Sequence, residues 1–147
     1  MRFSLARLLT VLILLSIVAA LGSRFLRPAP VRIFEAFEPA LLEQRRTGRP
    51  LLVEFNSVTC TISCLNLGSV ISRPAIQERL SAFVIAELWT DMTDQGPENR
   101  RLQAERFRST ATPLYVIVAP DGRELRRLSG TLSEPQFLRF LNGATAR

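Results

Sequence analysis

Two hydrophobic patterns divide the chain into an apolar N-terminal segment and a longer region of alternating short elements. Leu8 to Gly22 form an almost uninterrupted apolar run, which Arg2 and Arg7 precede. Beyond residue 33, short apolar stretches that suit buried strands alternate with stretches whose apolar residues recur every three to four positions. This alternation predicts an α/β domain built on several short strands.

The predicted elements suggest a mixed sheet with helices on both faces. Helices are expected at 35–46, from Cys60, at 74–80, at 98–107 and from Ser133 to 142; strands are expected at 51–56, 83–88, 114–119 and 124–128. The letters PDGR between the last two strands are typical of a tight turn, so these strands should form an antiparallel hairpin. Strands separated by helices are expected to pair in parallel through crossovers.

Residues 1–26 are predicted to target the chain to a membrane. Arg24 can extend its charged end to the membrane surface, so the span 8–26 reaches about the 20 residues that a transmembrane helix needs. A cleaved signal peptide is the alternative, since the small residues Ala20 and Gly22 provide a cleavage site. We favour the anchor, because no helix-breaking residue interrupts the apolar run. Residues 27–34, with two prolines, are predicted to be a linker, and 35–147 the folded domain.

Either targeting route exports the folded domain. An anchor would hold it on the inner membrane facing the periplasm, and cleavage would release it into the periplasm, where paired thiols can be oxidised. The net charge is +6, and all 19 basic residues are Arg, with neither Lys nor His. These arginines are scattered and form no long basic run, so nucleic-acid binding is not expected.

The only two cysteines, Cys60 and Cys64, are the candidate chemical site. A cysteine at the start of a helix faces unpaired N–H groups and the positive end of the helix dipole, which stabilise a thiolate. Residues four apart on a helix have α-carbons about 6 Å apart, which is within the range of a disulfide. Two alternatives stay open. Cys64 could be a buried small apolar residue, or the two thiolates could hold Cu(I), although the chain has no His to complete a site.

Four stretches resemble the thioredoxin superfamily over residues 35–142. They are LLVEFNSVTC, a strand that runs into a helix-start cysteine; TATPLYVIVAPDG, which resembles the loop with the family's cis-proline; the hairpin after it; and LSGTLSEPQFLRFL, which is similar to the closing glycine and terminal helix. Within the superfamily, the chain most resembles the C-terminal domain of the DsbD-type disulfide reductases. The resemblance implies a thioredoxin fold, an α/β architecture with a central mixed sheet between helices.

The resemblance also implies roles for individual residues. Cys60 matches the attacking cysteine, whereas Ser63 occupies the position of the family's second cysteine, which is moved here to Cys64. Glu54 matches a buried acid that could take the proton of Cys64 through a water molecule. Its alternative is an exposed glutamate at a strand end.

Three further residues are candidate substrate-binding positions. Pro113 matches the cis-proline, with Thr112 before it, and this edge could pair with an extended substrate segment. Thr59 replaces the tryptophan that many thioredoxins have before the first cysteine. Trp89 and Tyr115 are predicted to pack in the core, and the stretch TDMTDQGPEN is predicted to be a surface turn.

The sequence therefore predicts an exported, membrane-anchored thiol-disulfide oxidoreductase that acts on protein disulfides through Cys60 and Cys64. No cofactor and no metal are expected. The expected partners are protein thiols and disulfides, the membrane through residues 8–26, and a membrane disulfide reductase as a candidate. The alternative function is a redox-inactive binding module of the same fold, or a Cu(I) carrier that uses the cysteine pair.

Overall fold

The computed structural model of the protein describes residues 31–92 and 94–145. The elements are β1 (Ile33–Phe34), α1 (Phe37–Thr47), β2 (Leu51–Asn56), α2 (Thr61–Asn66) with a π-helical continuation (Leu67–Ile71), α3 (Pro74–Leu80), β3 (Val84–Trp89), α4 (Gly96–Phe107), β4 (Leu114–Val118), β5 (Glu124–Ser129) and α5 (Glu134–Thr145). The predicted elements from residue 35 onward are therefore present, with boundaries that shift by a few residues.

The five strands form one mixed sheet in the order β1-β3-β2-β4-β5. Strands β1, β3 and β2 are parallel, and the β4–β5 hairpin is antiparallel, as predicted. The prediction that all strands separated by helices pair in parallel was wrong for β4, which runs antiparallel to β2. Phe107 is the last residue of α4, and the centroid of its ring lies 5.4 Å from the ring centroid of Phe55, near the carboxyl end of β2. β4 therefore starts at the carboxyl ends of β2 and β3 and runs in the opposite direction.

Ile33 and Phe34, the last two residues of the predicted linker, belong to the sheet. These two residues pair with Ile85 and Ala86 on the free edge of β3 and form β1. A strand of two residues has no hydrophobic pattern of its own, so only its partner strand reveals it.

Two apolar layers cover the two faces of the sheet. On one face, Leu51, Val53 and Phe55 pack against residues of α1 and α4. On the other face, Leu52 and Ile85 join residues of α3, α5 and the π-helical turn. Every residue of β2 is buried, so the strand that leads to Cys60 is a fully covered central strand. The predicted arrangement of helices on both faces is confirmed.

The predicted membrane segment lies outside the described residues. Within residues 31–92 and 94–145, no helix combines the length and the apolar character needed to cross a membrane.

Candidate active site

Cys60 occupies the N-cap of α2, just beyond the carboxyl end of β2. The buried strand β2 ends at Asn56, and the short connection Ser57 to Thr59 carries the chain to the helix. The expected helix start at Cys60 is therefore confirmed. The N-terminal N–H groups of a helix have no partners within the helix, so they are available to a thiolate at this position.

The surroundings of Cys60 favour its thiolate. The pKa of the Cys60 thiol is lowered, chiefly by the backbone N–H of Ser63. Partial burial raises this pKa, whereas the Ser63 hydroxyl and the Ile62 N–H lower it further. The Cys60 Sγ lies 3.3 Å from the carbonyl oxygen of Thr112, to which the protonated thiol can donate. Cys60 is therefore placed as an attacking thiol.

The loop before β4 brings a proline to the cysteine, as the sequence predicted. The Thr112–Pro113 peptide bond is cis, which confirms that expectation. Pro113 is buried and Thr112 is half-buried. The Gly130 N–H donates to the Pro113 carbonyl oxygen at 3.3 Å, which ties this loop to the end of β5. Thr112 therefore reaches Cys60 from a held position, although substrate binding at Thr112 and Pro113 stays a prediction.

Ser63 and Cys64 have opposite exposures. Both thiols are free, and the Cys64 side chain is exposed, with its Sγ 3.9 Å from the Val58 carbonyl oxygen. The interpretation of Cys64 as a buried apolar residue was therefore wrong. Ser63 is fully buried, and its hydroxyl accepts a hydrogen bond from the Ser57 N–H at 3.4 Å. The residue packed inside the protein beside Cys60 is thus the serine.

Glu54 is buried in the middle of β2, only 3% exposed. This confirms the expected covered acid and excludes the exposed strand-end alternative. Burial raises the pKa of Glu54 to about 8, and the neighbouring carboxylate of Glu87 contributes. Tyr115, directly opposite on β4, is buried as predicted. Burial, followed by the charge of Glu54, raises the pKa of Tyr115. The part of Glu54 in proton transfer stays a prediction.

Asn66 joins α2 to the connection between β5 and α5. Its Nδ2 donates to the Tyr115 hydroxyl at 3.3 Å and to the Gly130 carbonyl at 2.8 Å. Its Oδ1 accepts from the Leu132 N–H at 3.1 Å. The helix that carries both cysteines is therefore held against the sheet by a buried amide as well as by apolar packing.

Asp91 is a residue of the site that the sequence reasoning missed. It lies in the stretch predicted to be a surface turn, yet its carboxylate holds the segment that precedes Cys60. The Oδ1 accepts from the Val58 N–H at 2.8 Å. The Oδ2 accepts from the Ser57 hydroxyl at 2.6 Å, and from the Thr59 hydroxyl at 2.8 Å and its N–H at 3.1 Å. Thr59, the exposed residue that replaces a tryptophan, is thus engaged by Asp91.

The sequence did contain a signal for this contact. β2 and β3 are parallel neighbours, so the residues just beyond their carboxyl ends meet at one edge of the sheet. Asp91 follows β3 by two residues, and Ser57 follows β2 directly. Partial burial raises the pKa of Asp91, but the hydrogen bonds from Ser57, Val58 and Thr59 outweigh it, so the pKa is lowered.

Asp91→Asn is expected to loosen the segment before Cys60. The asparagine side chain would place an NH2 group, which can only donate, where a carboxylate oxygen now accepts from two hydroxyls and an N–H. The free energy of unfolding should therefore fall by about 1–2 kcal/mol at pH 7, after allowance for solvent exposure. Because the pKa of Asp91 is lowered in the folded state, its ionised carboxylate stabilises the fold at pH values above the pKa of Asp91 in the unfolded state. This stabilisation is lost as the pH falls toward the folded-state pKa. The difference between wild type and variant should therefore shrink in acid.

Urea denaturation at pH 7 and pH 3 measures this effect. Asp94→Asn, an exposed position in the same loop, is the matched control and should unfold as wild type does at both pH values. Equal stability of the Asp91 variant and wild type at pH 7 would show that the four hydrogen bonds contribute nothing.

The described residues contain no cluster of three or more His, Cys, Asp or Glu side chains that could hold a metal ion. Any metal at this site would therefore depend on the two thiols.

Comparison with known proteins places this geometry in a family. Residues 37–145 match the family described as thioredoxin-like domain. The chain belongs to this family. Thiol:disulfide interchange protein DsbD 1 of Pseudomonas aeruginosa is 32% identical over 88 residues, which are 59% of this chain and 14% of that protein. The chain thus spans only a small part of this relative, as the expected resemblance to one DsbD domain requires.

Solved structures agree with this family. A thioredoxin from Thermus thermophilus is 28% identical with a TM-score of 0.67, and the match covers 79% of this chain and 88% of that one. The oxidised C-terminal domain of Neisseria meningitidis DsbD has a TM-score of 0.63 at 15% identity, with 76% and 97% covered. The second likeness shows the fold alone. The predicted membership of the thioredoxin superfamily, with DsbD-like character, is confirmed.

Proposed function

We propose that this thioredoxin-like protein is a thiol-disulfide oxidoreductase that exchanges disulfides with other proteins through Cys60 and Cys64. The observation that carries the proposal is the position of Cys60 at the N-cap of α2. There, N–H groups of the first turn lower its pKa, and the carbonyl of Thr112 lies 3.3 Å away. A thiolate at such a site is the attacking species in disulfide exchange.

The reaction has two steps. In the first, the Cys60 thiolate attacks a sulfur of the partner's disulfide, which forms a Cys60–partner disulfide and releases the partner's other sulfur as a thiolate. In the second, Cys64 loses its proton to the Glu54 carboxylate through a water molecule and attacks the Cys60 Sγ. The Cys60–Cys64 bond forms, the partner leaves fully reduced, and the pair on this chain is oxidised.

We assign partner binding to the surface around Thr112, Pro113 and Thr59. Thr112 is half-buried and Thr59 is exposed, and both lie beside Cys60. An extended segment of a partner protein could pair with the backbone edge at Thr112, as a strand adds to a sheet. Thr59 would then contact the partner next to the reacting sulfur.

We also propose that residues 8–26 anchor the chain in the inner membrane with the domain facing the periplasm. The support is the apolar run after Arg2 and Arg7 and its length of about 20 residues. Cleavage of the segment would instead release a periplasmic protein. A membrane disulfide reductase is the proposed source of electrons, which the similarity to DsbD favours.

Serine variants of the two cysteines test the function. We expect Cys60→Ser in the full-length protein to abolish reduction of a protein disulfide, because the attacking sulfur is lost. We expect Cys64→Ser to keep the first step and to accumulate the mixed disulfide with Cys60. Non-reducing electrophoresis after rapid alkylation measures both outcomes, with wild type and Ser72→Ala, an exposed hydroxyl farther along the chain, as controls.

Exchange that continues in Cys60→Ser would overturn the mechanism. Wild-type thiols that never form an intramolecular bridge but bind Cu(I) tightly would instead favour the copper-carrier function.

A further inference from the structure

Glu54 and Glu87 lie opposite each other on the neighbouring strands β2 and β3. We propose that these two carboxylates share one proton in the resolving step, the attack of Cys64 on Cys60, and that Glu87 exchanges this proton with solvent. The inference rests on the proposed function and adds a residue to it, since the resemblance points only to Glu54.

The strand register places both carboxylates on one face of the sheet. Leu52 and Ile85 form the pair two positions earlier on the same two strands, and they belong to the apolar layer that faces α3 and α5. Because side chains two positions apart in a strand point the same way, Glu54 and Glu87 follow on that face. Glu54 is 3% exposed, whereas Glu87 is half-buried. Of the two, Glu87 is therefore the one within reach of water.

A buried amide extends this polar group. Asn56 lies two positions after Glu54 and is fully buried on the same face. Neither its Nδ2 nor its Oδ1 has a hydrogen-bond partner among the described residues. Buried polar atoms in proteins nearly always have partners, from protein or from water. The buried amide of Asn56 thus adds an unpartnered donor and acceptor to the same face, two positions from Glu54.

Among the described residues, the charged groups that shift the pKa values of the pair are themselves carboxylates. Burial and then Glu87 raise the pKa of Glu54 to about 8. Burial and then Glu35, the residue after β1, raise the pKa of Glu87. Tyr115 lies opposite Glu54 on β4, and the charge of Cys60 at the start of α2 contributes to the raised pKa of Tyr115. Two close carboxylates in such surroundings do not both ionise readily, so at neutral pH the pair holds a proton.

The proton balance of the step follows from this arrangement. The Cys64 thiol gives its proton to an ionised Glu54, and Cys64 forms the bond to Cys60 as the bond between Cys60 and the partner breaks. Glu87, which holds the shared proton while Glu54 is ionised, releases that proton to solvent, and Glu54 then passes its newly gained proton to Glu87. Both carboxylates end as they began, and the departing partner thiolate takes a proton from solvent.

A coloured aromatic disulfide reagent, added in equimolar amount to the full-length reduced protein, separates the two steps. Attack by Cys60 releases one coloured thiolate, and closure by Cys64 releases a second. We expect the pH midpoint of the second phase to move about one unit lower in Glu87→Gln, since loss of the like charge makes Glu54 ionise more readily. The first phase should keep its wild-type rate.

Three comparisons make the test specific. Glu87→Asp keeps a carboxylate and should stay close to the wild-type midpoint, whereas general loosening of the fold would not separate Asp from Gln. Glu38→Gln, an exposed glutamate on α1, should leave both phases unchanged. A Glu87→Gln midpoint equal to wild type, with two phases present, would overturn the proton sharing and leave the proposed function standing. A wild-type protein without the first phase would overturn the proposed function and the proton sharing with it.

Discussion

Exchanging the residues at positions 63 and 64, as Ser63→Cys together with Cys64→Ser, is expected to speed closure of the intramolecular disulfide about 10- to 100-fold. The Ser63 hydroxyl already acts on the Cys60 sulfur as a hydrogen-bond partner, from a fully buried position. A sulfur at Cβ of residue 63 would therefore start close to Cys60. The Cys64 sulfur is exposed and lies instead near the Val58 carbonyl, so it must reorient before it can attack.

The second phase of coloured thiolate release measures this acceleration. Cys64→Ser alone is the control for the loss of the native second thiol and should show no second phase. Ser63→Ala separates the effect of the hydroxyl on Cys60, and it should slow the first phase because a group that lowers the pKa of Cys60 is lost. A double variant that closes its disulfide more slowly than wild type would show that Cys64 is the better-placed thiol.

Glu54→Gln is expected to remove most of the decline in stability that the wild type should show between pH 5 and pH 8. The pKa of Glu54 is about 8 in the folded protein against an ordinary value of 4.5. Between these values the folded state holds a proton that the unfolded state has lost. The proton on Glu54 thus stabilises the fold fully at pH values below the pKa of Glu54 in the unfolded state. This stabilisation is lost as the pH rises through the pKa of Glu54 in the folded state.

The size of the effect follows from proton linkage. The free energy of unfolding of the wild type should fall by up to about 1.4 kcal/mol per pH unit across this window. The glutamine variant carries no titrating group at residue 54, so it should become the more stable protein near pH 8. Urea denaturation at pH 5 and pH 8 measures this, with Glu38→Gln as the surface control. Parallel pH dependence of wild type and Glu54→Gln would contradict the buried, protonated state.

Strands with strong local signals could be predicted from sequence. The fully apolar surroundings of Glu54 in LLVEF indicated a covered central strand, and β2 is buried throughout. The turn letters PDGR indicated the β4–β5 hairpin, which is present. The direction of β4 could not be predicted this way, because it depends on the end of the sheet at which α4 ends, and only the folded structure shows that Phe107, the last residue of α4, packs on Phe55.

The residues of the candidate active site also fall into two groups, those that local sequence predicts and those that only tertiary contacts place. Cys60 at a helix start and Pro113 before a strand are local features, set by residues close in the chain, and both predictions are confirmed. Asp91 could not be placed by local reasoning, since its four hydrogen bonds reach residues more than thirty positions earlier. Only the parallel pairing of β2 and β3 brings these two loops together.

The spacing of the two cysteines is the clearest division between the two levels. The sequence alone predicted a helix start at Cys60, and the resemblance to the thioredoxin superfamily implied that Ser63 takes the place of the family's second cysteine, because both features are counted along the chain. Only the tertiary structure decided that Ser63 is buried beside Cys60 while Cys64 is exposed. The physical reason is that the side of α2 that packs inward depends on the sheet and loops that cover it, and distant residues such as Tyr115 and Gly130 hold that side in place.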